Sequence, residues 1–165
     1  MDTPLLDPRL RGLLIESAVS LFDERGLPLR EVDALPREQE IAGVIGFTGH
    51  LRGTLIVASK RDLLEESCPL PSTDVSDWTA ELANQLLGRF KNRLIRYGLE
   101  VAMATPVAVR GLHLSYSTPQ RTSTYVVFSA PSGTVVVGLE AIADAPLVWC
   151  DETNASLDEG SLELF

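Results

Sequence analysis

The sequence predicts an α+β fold: an antiparallel sheet of hairpin-grouped strands packed with a long helix and an N-terminal helix. Three observations lead there. Apolar residues recur at three-four spacing over residues 8–25 and again over about 77–97. Short β-branched runs elsewhere are separated by turns rich in Gly and Pro. Those runs come in groups and not singly between helices, which disfavours a doubly wound parallel sheet.

Residues 8–25 set Leu10, Leu13, Leu14, Ala18, Leu21 and Phe22 on one helical side, with Asp7-Pro8 as the start and Gly26 as the stop. Residues 27–35 read as a short strand before Pro36. Runs at 41–47 and 54–59 flank Thr48-Gly49-His50-Leu51-Arg52-Gly53 and read as strand, turn, strand, with Gly49 supplying the turn's backbone freedom. Residues 60–68 read as a second helix, ended by Pro69 and Pro71. In the long helix Trp78, Leu82, Leu86, Phe90 and Leu94 step by four and mark the buried face. Ser76 or Asp77 is its expected cap and Gly98 its stop. Apolar runs at 99–109, 112–118 and 124–130, separated by Gly111 and by Pro119-Gln120-Arg121, supply further strands. Ser132-Gly133 leads into a last one at 134–139.

With 165 residues, 45% apolar and 22% charged, the chain is one folded domain able to bury its own core. No apolar run approaches the roughly 20 residues of a membrane span. Met1-Asp2-Thr3-Pro4 lacks the basic-then-apolar pattern of a secretory signal. Cys68 and Cys150 form no CxxC pair and read as small buried or half-buried thiols, so the expected location is cytoplasmic. The net charge of −9 is uneven. Residues 140–165 carry seven of the 23 acids and no Lys or Arg, leaving 16 acids against 14 bases in the rest. A near-neutral body (1–140) with an acidic extension (141–165), mobile in part, is a poor partner for phosphate backbones.

The usual catalytic patterns are missing. His50, beside a turn, reads as solvent-facing, and His113, in a strand, reads as structural. Neither is spaced with the cysteines for zinc, so no metal site is expected. The glycines Gly43, Gly46, Gly49 and Gly53 precede a strand and no Lys-Ser/Thr, so they read as turn and bulge geometry and not as a phosphate loop. What remains is Glu81 and Asn84. Three apart on a helix, they present a carboxylate and a carboxamide to the same side, one turn before Gly88. Lys91 continues that face.

The surrounding motifs sharpen this. The stretch from Gly43 to Ser59 resembles the β-hairpin of the CheC/CheX/FliY family of chemotaxis phosphatases. Asp77-x-x-x-Glu81-x-x-Asn84-x-x-x-Gly88-x-x-Lys91 resembles that family's active helix. Asp77 fills the place of the acidic or serine residue before the Glu-x-x-Asn pair, and Pro106 that of a following proline. The resemblance spans about residues 8–140 and implies a CheC-like fold.

It also implies an activity: hydrolysis of the acyl phosphate on a CheY-like response regulator. Glu81 would engage the regulator's phosphate-binding lysine, and Asn84 would orient water for in-line attack. Asp77, Gly88 and Lys91 would complete the partner-binding face. The chain would need no cofactor of its own, because the divalent ion, Mg2+, belongs to the phosphorylated partner. A single Glu-x-x-Asn resembles the CheX type, commonly a homodimer, and not the two-site CheC type. Asp151-Glu152-Thr153-Asn154 has a similar spacing but lies in the acidic extension without helical apolar spacing, and reads as loop. No FliM-like peptide precedes residue 8. Two alternatives stay open: a module that docks a receiver without hydrolysing anything, and a structural dimer whose helix face is merely solvated.

Overall fold

The computed structural model describes residues 6–35, 39–115 and 121–152. The Asp7 carboxylate accepts the Arg9 backbone N–H at 2.9 Å. Pro8 occupies the first turn, where a missing N–H costs nothing, and α1 (Pro8–Glu24) follows, burying the predicted face from Leu10 to Phe22. Then come β1 (Arg30–Val32), β2 (Gln39–Gly49), β3 (Arg52–Ser59), α2 (Arg61–Ser67) and α3 (Val75–Ile95). The order ends with β4 (Val101–Met103), β5 (Val107–Leu114), β6 (Ser123–Ala130) and β7 (Gly133–Ile142).

The strands form one antiparallel sheet in the order β1-β6-β7-β3-β2-β4, with β5 also paired to β2. This is the α+β class expected from the sequence. Ile45 faces Leu55, Leu55 faces Leu139, and Val57 faces Val137. These side chains, with Val126, Phe128 and Val135, are fully buried among the helices. α3 packs on β2, and α1 packs on α3. Ion pairs Arg89–Glu24 and Arg93–Glu16 (3.5 Å) tie the two helices together.

The structure shifts three boundaries. α3 begins at Val75, two residues before the expected start, because Asp74 and neither Ser76 nor Asp77 is its cap: the Asp74 carboxylate accepts the Ser76 N–H at 2.8 Å. The run at 99–109 is two strands, interrupted at residues 104–106, where Pro106 has no N–H for the ladder. β5 instead continues through Gly111 by means of a register shift. Arg110 pairs with Ile41 but Leu114 pairs with Gln39, and His113 takes the left-handed φ of 62°. Residues 116–120, and with them part of the run expected at 112–118, lie outside the described residues.

Beyond β7 the chain doubles back over the ends of α1 and α3. The Cys150 N–H donates to the Tyr97 carbonyl at 2.9 Å, and Trp149 Nε1 donates to Asp7 Oδ2 at 2.9 Å. Trp149 also meets the Tyr97 ring edge-on at 5.6 Å, and the Arg9 guanidinium lies 4.2 Å above its own ring. Cys68 is half-buried but Cys150 is exposed, and both are free thiols. Asp151 and Glu152 have no regular structure, and Thr153 and Asn154 lie outside the described residues. Both histidines are exposed. His50 Nδ1 accepts the Glu100 backbone N–H at 2.9 Å, which fastens the β2–β3 turn to the segment before β4.

Candidate functional site

α3 carries the candidate residues, and its placement follows from small groups beneath it. A Cβ on Gly43 of β2 would collide with the Thr79 carbonyl oxygen and come within 2.9 Å of Ala83 Cβ. Glycine is therefore required there by close approach and not by a turn, unlike Gly49, whose φ of 144° makes the hairpin turn as expected. Trp78, Leu82, Leu86, Phe90 and Leu94 are buried, as their spacing predicts. Trp78 Nε1 donates to Ser67 Oγ at 2.8 Å, anchoring the first turns of α3 to α2.

Helical geometry turns Asp77, Glu81, Asn84, Gly88 and Lys91 to the side opposite that core. Asp77 and Glu81 are exposed, and Asn84, Gly88 and Lys91 are half-buried. The structure thus gathers all five predicted residues into one stripe. Asp77 sits in the first turn, where its charge complements the helix dipole. Backbone hydrogen bonding, chiefly from the Ser76 N–H, holds the Asp74 carboxyl just before it below its ordinary value. A Cβ on Gly88 would meet nothing within 4 Å, so this glycine leaves an open notch instead of packing against a neighbouring element. A cleft of about 440 Å³ beside the start of α3 is lined by Arg61, Glu65, Cys68 and residues 73–75 among others, and stops short of Glu81. Glu81 and Asn84 stand outside this cleft, on the outward face of the helix. Among the described residues, no group of three or more His, Cys, Asp or Glu could hold a metal ion.

Two further residues join the stripe that the sequence reading did not single out. Gln85 Nε2 donates to Glu81 Oε1 at 2.9 Å. Arg25 Nη2 donates to Gln85 Oε1 at 2.7 Å, and the Arg25 guanidinium stacks 5.1 Å from the centre of the Trp78 ring. The Glu81–Gln85 pair was readable from its i,i+4 spacing. Arg25 was not, since its partner is 60 residues away.

The sequence profile of the family described as "Chemotaxis phosphatase CheX" matches residues 41–129, more than half of the chain and the whole stretch from the β2–β3 hairpin through α3 to β6. The chain belongs to the CheX family. Solved structures of similar shape include a CheC-like superfamily protein from Shewanella sp. PV-4, with a TM-score of 0.70, 22% identity, and 82% of this chain and 99% of that one covered. Chemotaxis protein CheX from Vibrio vulnificus gives 0.70 and 21%, covering 80% and 95%. The CheX-CheY-BeF3-Mg2+ complex from Borrelia burgdorferi gives 0.64 and 17%, covering 79% and 96%. At these identities the likeness is one of fold. Among curated proteins no sequence matches. The CheX-family span contains Glu81, Asn84 and Pro106, and Pro106 lies between β4 and β5, half-buried. Among the described residues no helix is long and apolar enough to cross a membrane.

Proposed function

We propose that this CheX-family chain hydrolyses the aspartyl phosphate of a CheY-like response regulator, with Glu81 as docking carboxylate and Asn84 as water-positioning amide. The observation that carries the reading is the outward stripe on α3, in which an exposed Glu81 stands one turn from Asn84 and about two turns from the notch at Gly88. The complex formed by the Borrelia relative supports a receiver as the partner.

The chemistry asks little of this chain. An acyl phosphate is already activated, and its loose transition state needs alignment and charge neutralisation more than a strong base. The Asn84 carbonyl accepts a hydrogen bond from water while its NH2 donates toward the phosphoryl group. The water oxygen attacks phosphorus, the bond to the receiver's aspartyl oxygen breaks, and the water's proton leaves with phosphate or to solvent. Glu81 pairs with the receiver's lysine and fixes the approach. Asp77, Gly88 and Lys91 widen the docking surface. The divalent ion, Mg2+, is the receiver's and supplies charge neutralisation at the phosphoryl group.

The reading includes a cytoplasmic location and a CheX-type homodimer. Val107, Val109 and Leu112 on β5 are exposed apolar side chains near the sheet edge, and light scattering would report the mass. The deciding experiment incubates the protein with phosphorylated receivers from its own genome and follows loss of label. Accelerated release of phosphate supports the enzyme. A receiver that binds while its phosphoryl lifetime stays unchanged establishes the docking module instead.

A further inference from the structure

We infer that Gln85 and Arg25 are positioning residues that aim the Glu81 carboxylate at the partner, an inference that rests on the docking role proposed for Glu81. Three side chains form a directed line: Arg25 Nη2 donates to Gln85 Oε1 at 2.7 Å, and Gln85 Nε2 donates to Glu81 Oε1 at 2.9 Å. The direction is fixed by chemistry. A guanidinium has only donors, so it takes the oxygen of the Gln85 amide and turns the NH2 toward Glu81. A carboxylate has only acceptors, so it takes that NH2. The amide cannot flip without breaking both bonds and opposing donor to donor.

The far end of the line is anchored. Arg25 is the C-cap of α1, and its backbone N–H is held by the carbonyls of Phe22 and Asp23. Its guanidinium rests over the ring of Trp78, which is itself buried and bonded through Nε1 to Ser67. A free glutamate samples several rotamers, and ordering one on docking costs free energy at that moment. Gln85 pre-orders Glu81 in the unbound chain, using only one of its two oxygens and leaving the other for an incoming cation. The neutral amide also keeps the Arg25 charge off the carboxylate, which would otherwise be neutralised before the partner arrives. The Glu81 site is thus built from α1 as well as α3.

The experiment compares wild type with Glu81→Ala, Gln85→Ala, Gln85→Glu, Arg25→Ala and the double variant Glu81→Ala/Gln85→Ala. The probes are a CheY-like receiver from the same genome, phosphorylated with acetyl phosphate, and the same receiver with BeF3 and Mg2+ for binding. Each variant's unfolding is followed in parallel. Gln85→Ala should raise the half-saturating receiver concentration about 3- to 10-fold with little change in the maximal rate, as loss of a docking contact does. Gln85→Glu is the sharper variant. It keeps or strengthens the bond to Arg25, and so the stability, but cannot donate to Glu81 and repels it, so docking should weaken at least as much. Arg25→Ala should shift docking in the same direction as Gln85→Ala. The double variant should be no worse than Glu81→Ala alone, because Gln85 acts through Glu81. If Glu81→Ala is impaired but Gln85→Ala and Gln85→Glu dock like wild type, or if the two losses add in the double variant, the positioning role is overturned and the docking role stands. If Glu81→Ala itself docks like wild type, the docking role falls and the positioning role falls with it.

Discussion

Gly43 on β2 lies directly beneath the carbonyl of Thr79 on α3, so close that the strand has no room for a side chain there. Thr79 and Ala83 are buried on the same turns that turn Glu81 and Asn84 outward. This contact fixes how closely the helix approaches β2 at that point. Gly43→Ala forces the helix away or strains both backbones, and should destabilise the fold by about 1–3 kcal/mol, as overpacking does. Denaturant unfolding measures the loss, and phosphate release should fall along with it.

Asn84→Ala addresses the chemistry itself. Alanine is the better helix former and Asn84 is only half-buried, so stability should hold or rise slightly. Acceleration of receiver dephosphorylation should fall on the order of 100-fold, the scale of a lost positioning contact. An Asn84→Ala protein as active as wild type removes the proposed mechanism.

Glu81→Ala should behave differently. Glu81 is exposed and its bond to Gln85 is a surface one, so unfolding should shift by no more than about 0.5 kcal/mol. The loss should appear as weaker receiver binding at nearly unchanged maximal rate. A lowered rate at saturating receiver would contradict the docking assignment.

Gly88→Ala separates stability from docking. A Cβ there meets nothing within 4 Å, so the substitution should stabilise the helix by about 0.5–1 kcal/mol. Should the partner's backbone come near this notch, receiver affinity should drop while the melting temperature rises. Calorimetry and binding to the BeF3-activated receiver read the two effects separately, and an unchanged affinity excludes the notch from the interface.

The caps make stability depend on acid. Hydrogen bonding from the Ser76 N–H lowers the Asp74 carboxyl. Partial burial would raise the Asp7 carboxyl, but hydrogen bonds from the Arg9 side chain and backbone and from Trp149 overcome it, so it too is lowered. A carboxylate lowered on folding contributes its stability in full above its unfolded value, about 3.9, and loses it as pH falls through the folded one. The melting temperature should therefore fall below about pH 4. Asp74→Asn, which still caps but does not titrate there, should show a shallower fall. Equal slopes would remove Asp74 from the acid response.

Much of this protein was legible in its residues. The four-residue step from Trp78 to Leu94 gave the buried face of α3, and with it the outward stripe, because side-chain direction on a helix follows from backbone geometry alone. The hairpin around Gly49 was equally local. The α3 cap lies two to three residues before the expected Ser76 or Asp77, because Asp74, Ser76 and Asp77 are all good caps and only the path of the chain from α2 selects among them. The shifted register of β5 depends on which groups of β2 stand opposite. Gly43 has the sequence setting of a turn or bulge glycine, and only the helix above it explains why no side chain fits. Arg25 and Gln85 meet only because α1 ends against α3. Sequence by itself determined what each turn of helix shows to solvent, since that needs only neighbours three and four residues apart. Tertiary structure decided what holds Glu81 in place, because that contact joins residues distant in the chain, and no local pattern encodes it.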